Sequence, residues 1–130
     1  MKLCIKYNKK TIQNSKFKVI VKFFKFLNRK LPLKNDLEIH FLDDRFGKMT
    51  TGSFHNKKHR IKCLAKNRML SDIMRTISHE WAHAYDNENL KIKDRRDIGG
   101  DSENYANSVS GALIKYFIKH HKMDEDDIYS

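Results

Sequence analysis

The chain has 130 residues, one third of them charged, with a formal net charge of +11. That length suits one domain, residues 1–130, with one modest core, and the evenly scattered lysines and arginines read first as solubility with non-specific attraction to polyanions such as nucleic acid. Two cysteines, Cys4 and Cys63, in no CxxC pair argue against a disulfide framework and against a cysteine zinc ribbon.

At the N-terminus Leu3, Ile5 and Tyr7 alternate with polar residues, the period of a short strand. Lysines interrupt this stretch, so it lacks the apolar run of a signal peptide, and nowhere does an apolar run reach the roughly 20 residues needed to span a bilayer. A cytoplasmic location without a membrane span is the expectation. Next, "NSKFKVIVKFFKFLNRKL" places Phe17, Ile20, Val21, Phe24, Leu27 and Leu31 at helical spacing, ended by Pro32. Such a basic amphipathic helix can lie on a membrane, but in a small domain its stripe belongs to the core. "LEIHFLD" reads as a second strand, with a turn relaxed by Gly47. "MTTGSFHN" and "HRIKCLA" form a hairpin across "NKK".

After Ala65 the period becomes helical. Ser71 is the expected N-cap, Asp72 the first-turn acid, and Ile73, Ile77, Trp81 and Ala84 or Tyr85 the core stripe. The polar connection "NENLKIKDRRDIGG" leads to a last helix capped by Asp101 or Ser102. Its expected stripe is Tyr105, Val109, Ala112, Leu113, Tyr116 and Phe117, and an acidic tail follows over 123–130. The expectation is an α+β fold: an N-terminal helix, a three- or four-stranded sheet with an edge hairpin, and two further helices.

The chemistry lies in "TISHEWAHAYD". His79 and His83 stand one helical turn apart, so both imidazoles can reach one zinc ion at roughly 2.0–2.1 Å. At 100° per residue they lie about 200° and 240° around from Ile77, facing away from the core stripe. A catalytic zinc takes three protein ligands, and Glu103 on the last helix offers the third. One turn further, Ala106 lets the helices approach, while the Asn107 amide is placed to accept the free N–H of a ligand imidazole. Glu80 is close to the metal but turned aside, as befits a general base that takes the proton of a zinc-acidified water for attack on a peptide carbonyl.

"HEWAH" followed by "ENYAN" resembles the HExxH plus ExxA(N) pattern of gluzincin zinc metallopeptidases, in particular the small ImmA/IrrE-like and minigluzincin types. The likeness in element order extends from about residue 15 to residue 120. It implies a zincin-like domain with His79, His83 and Glu103 as zinc ligands, Glu80 as general base and Asn107 as a supporting polar residue. It also implies a peptide or protein substrate paired along the edge strand of "TGSFHNKKHRIKCL", near His55 and His59, which are otherwise ordinary exposed hairpin histidines. Larger members add an oxyanion donor, for which Tyr105, Tyr116, His120 and His121 are candidates. Some minigluzincins are held latent by a C-terminal segment; here "MDEDDIYS" reads as a solvated tail. The alternative to a peptidase is a catalytically inactive, zinc-stabilised binding module for nucleic acid. Its best basic cluster, Lys57, Lys58, His59, Arg60 and Lys62 with Arg95 and Arg96, lacks interleaved aromatics.

Overall fold

Three helices and a four-stranded mixed sheet make up the computed structural model, an α+β arrangement whose described residues are 1–8, 10–44, 51–89 and 101–120, without the side chains of Asp101 and Ser102. Gly47, Arg95, Arg96, the paired glycines, His121 and the acidic tail all lie outside that description, as do the side chains of the two capping candidates.

In chain order the elements are β1 (Leu3–Lys6), α1 (Asn14–Lys30), β2 (Leu37–Leu42), β3 (Gly52–His55), β4 (Arg60–Leu64), α2 (Leu70–Asn89) and α3 (Asp101–His120). The strands stand in the order β1-β2-β4-β3. β1 and β4 both run parallel to β2, and β3 pairs antiparallel with β4 as the first strand of a hairpin, in the register Gly52 with Cys63 and His55 with Arg60. β3 is therefore an edge strand.

The period-two patterns explain the sheet. Leu37, Ile39 and Phe41 of β2 and Ile61 and Cys63 of β4 are buried on one face. The opposite face carries Cys4, Lys6, Glu38, His40, Arg60 and Lys62, none of them buried. One cluster of buried side chains runs from β2 and β4 through all three helices. α1 is wider in its burial than a single stripe. Phe23 and Phe26 are buried along with Ile20, Phe24 and Leu27, because α3 packs on its flank: the Phe117 ring meets Phe23 edge-on at 5.0 Å and Phe26 at 5.4 Å. Phe24 stacks toward Trp81 at 6.2 Å and Phe41 at 6.3 Å, joining α1 to α2 and the sheet.

α2 is the central element, packed against α1, α3, β3 and β4. The expected stripe Ile73, Ile77, Trp81 and Ala84 is fully or almost fully buried. The helix begins one residue before Ser71, which is buried inside the first turn instead of capping it; the amides of Asp72 and Ile73 go to the Met69 carbonyl. Arg68 secures this junction, donating to the carbonyls of Leu64 and Asp72 and to Thr76 Oγ1 at 2.8–3.1 Å. No described helix is long and apolar enough to cross a membrane.

α3 departs from its expected face. Its buried residues are Ala106, Ser110, Ile114 and Phe117, whereas Tyr105, Ala112 and Tyr116 are exposed. The contact face is turned by about 100° from the apolar stripe. The small side chains of Ala106 and Ser110 allow α3 to lie close on α2, which aligns Glu103 with the same groove.

Candidate metal centre

α2 presents His79 and His83 on an incompletely buried side, toward the first turn of α3. The opposite side is held to the core by Ile77 and by Trp81, whose indole N–H donates to the Leu31 carbonyl at 2.9 Å. The helix is thereby fixed in rotation, and the two imidazoles are committed to the α3 groove.

There the three side chains meet. Glu103 Oε1 lies 2.8 Å from His83 Nε2, Glu103 Oε2 lies 3.2 Å from His79 Nε2, and the two Nε2 atoms are 3.2 Å apart, with the rings crossed at 77°. Ligands at the zinc distance on two corners of a tetrahedron stand about 3.3 Å apart, so the spacing suits one shared ion. The donor set fits as well. Both Nε2 atoms face the same carboxylate and each other; as neutral N–H donors to Glu103 they would oppose two N–H groups at close range, whereas a cation among them is met by two lone pairs and an anion. Among the described residues His79, His83 and Glu103 are the only such group.

Glu80 is one residue on and 93% buried, with Oε1 4.0 Å from His79 Nε2. It borders the cluster without belonging to it. Burial, and after it the neighbouring Glu103 carboxylate, pushes Glu80 up to about 7, far above an ordinary glutamate. Burial also lowers the His83 pKa, as does the His79 ring, while Glu103 and Asp86 pull it upward; the net shift is down. An imidazole whose protonated form is disfavoured is one ready to offer a lone pair.

The edge strand passes directly over this base. A Cβ on Gly52 would stand 2.4 Å from Thr76 Cγ2, 3.2 Å from the Lys62 carbonyl oxygen and 3.5 Å from Glu80 Cγ. Only glycine allows β3 to approach α2 so closely. Among the described residues no strand pairs with the outer side of β3.

Other expected site residues fall elsewhere. Asn107 is exposed, and its engagement with the fold is through its backbone carbonyl, which accepts from Ser110 Oγ; no hydrogen bond joins its side chain to an imidazole. It sits beyond the edge of the α2 contact, because the helix is turned toward Ala106. His59 is no exposed hairpin histidine. It is buried, with Nδ1 donating to the Asp36 carbonyl at 2.7 Å and Nε2 3.1 Å from Glu88 Oε2, tying the hairpin turn to the end of α2. His55 is exposed and its Nδ1 accepts the Lys58 amide. The basic cluster is thus divided: His59 is buried and Arg60 is paired with Glu38 at 2.7 Å. Tyr116 and His120 stack on each other at 4.0 Å, beside Lys30. They are about 20 Å or more along α3 from Glu103, too far to serve as oxyanion donors there. Cys63 is buried with its thiol pushed up to about 12 by burial, which leaves it inert.

Four residues that shape the site had no role in the sequence-based expectation: Gly52, Thr76, Arg68 and Asp86. Glycine inside a strand is a signal of close approach, and Asp86 follows His83 at a helical spacing of three, so both had a readable sign. Compared with known proteins, the chain matches no family model, no curated protein and no solved structure.

Proposed function

We propose that the chain is a zinc-dependent metallopeptidase, with His79, His83 and Glu103 as ligands and Glu80 as general base. The observation that carries this reading is the convergence of two imidazole nitrogens and a carboxylate, at 2.8–3.2 Å, beside a buried glutamate. Zinc bound there would supply the positive charge that acidifies water and polarises a carbonyl.

The protein's own groups supply the rest. Glu80, with its pKa near neutrality, is suited to take a proton from the attacking water and return it to the leaving amine, since a base poised near working pH is efficient in both directions. The outer edge of β3, with which no described strand pairs, would take an extended peptide as a further strand of the sheet. Gly52 keeps that edge against Thr76 and Glu80, so the paired peptide would run past the base. Substrate would be recognised mainly through main-chain pairing.

Metal analysis of protein purified without chelator, combined with a peptide-library digest, tests the proposal. Wild type should carry about one zinc per chain and cleave peptides; Glu80→Gln should keep the zinc and lose at least about 100-fold in rate, the lower range for removing a general base. Wild type purified without metal and unable to acquire it, or a Glu80→Gln enzyme as active as wild type, would overturn it.

A further inference from the structure

In the metal-centre groove His83 uses Nε2 toward Glu103 and His79. Its other nitrogen, Nδ1, lies on the far side of the ring from that cluster. On α2 the next polar neighbour at a spacing of three is Asp86, and residues so spaced stand side by side on the helix surface.

Asp86 is 95% buried, an unusual place for a carboxylate in a chain so rich in surface charge. A buried carboxylate is strongly disfavoured unless polar hydrogens meet it. Its field reaches both the His83 ring, whose protonated form it favours, and the Tyr105 phenol of α3, whose ionisation it opposes. It is thus within electrostatic reach of both the ligand imidazole and the helix that carries Glu103. Asn107, the residue expected in this supporting role, is exposed on the outer side of the same helix.

We infer that Asp86 is the positioning residue of the metal centre, accepting the Nδ1–H of His83 and so holding its Nε2 lone pair toward the ion. The carboxylate fixes the tautomer and the ring rotation, and raises the basicity of the ligand nitrogen. The burial of Asp86 is what makes the arrangement stiff: a solvated carboxylate would exchange partners with water. The inference rests on the metallopeptidase reading only for the presence of a metal.

The test is zinc affinity of the full chain, by competition with a chromogenic chelator, for wild type, Asp86→Asn, Asp86→Glu and Asp72→Asn. Asp72, half-exposed at the other end of α2, controls for loss of one negative charge. Asp86→Asn should weaken zinc binding by about 10–100-fold, Asp86→Glu by less, and Asp72→Asn by no more than about twofold. In zinc-loaded wild type, long-range proton–nitrogen NMR should show the His83 Nδ1 proton protected from exchange, a readout independent of whether any variant folds. Equal zinc affinity in wild type and Asp86→Asn, equal weakening by Asp72→Asn, or a His83 Nδ1 proton in rapid exchange would overturn the assignment while leaving the metal centre standing. A wild type that binds no zinc would overturn the metallopeptidase reading itself, and this inference with it.

Discussion

Glu80 is the residue in which stability and chemistry conflict. Its carboxyl is buried beside Glu103, and both facts disfavour the charged form. The folded pKa of about 7 stands above the ordinary 4.5, so the folded state holds this proton more tightly than the unfolded state does. The contribution to stability is therefore complete below pH 4.5 and is lost as pH rises to about 7. The shift corresponds to about 3 kcal/mol. In metal-free protein, urea unfolding of wild type against Glu80→Gln should give a stability difference that grows by that amount between pH 4.5 and 8, with the variant the more stable at the alkaline end. A pH-independent difference would contradict it. HExxH spacing is enough to make Glu80 a candidate; its burial depends on β3, which is remote from α2 in sequence and lies across it in space.

At the scale of elements, the contact between β3 and α2 decides the geometry of the site. Gly52→Ala places a methyl within 2.4 Å of Thr76 Cγ2, so the strand or the helix must shift. Overpacking of this kind costs about 1–3 kcal/mol. Gly52→Ala should lower the unfolding midpoint correspondingly and reduce peptide cleavage further than the stability loss accounts for, because the moved strand is the one proposed to hold substrate. Thr76→Ser removes the Cγ2 while keeping a hydroxyl for Arg68, and in the double variant should recover part of the loss; strictly additive effects in thermal denaturation would contradict the contact. Legibility differed among the elements for physical reasons. α2 could be read because its apolar stripe and buried face coincide. The face of α3 could not: Tyr105, Ala112 and Tyr116 make a periodic apolar stripe, yet close approach to α2 favours the side with Ala106 and Ser110, and the tyrosines tolerate exposure. Asn107 went outward with that rotation, which is why the supporting part is proposed for the buried Asp86 instead.

For the whole molecule, the proposed metal would join α2 and α3, two elements that also pack on each other. His79 and His83 sit on α2, Glu103 on α3, and α3 reaches the core through Phe117 against Phe23 and Phe26. Zinc at about 1,000 times its Kd should add about 4 kcal/mol to stability. Chelation should then lower the Tm by on the order of 10 °C for a chain of this size, and re-addition of zinc should restore it. His79→Ala should show no such dependence, as followed by calorimetry; a Tm indifferent to chelator in protein shown to carry zinc would contradict the structural coupling. The sequence by itself determined that His79 and His83 share a face as candidate metal ligands, through local helix geometry alone, and determined the alternation that buries Ile39 and Ile61. Local periodicity carries that information because it is written within a few residues. Tertiary structure alone decided the rotation of α3, the burial of Glu80, His59 and Asp86, and the need for glycine at position 52. Each of those depends on how closely two distant segments approach, a distance set by packing across the core.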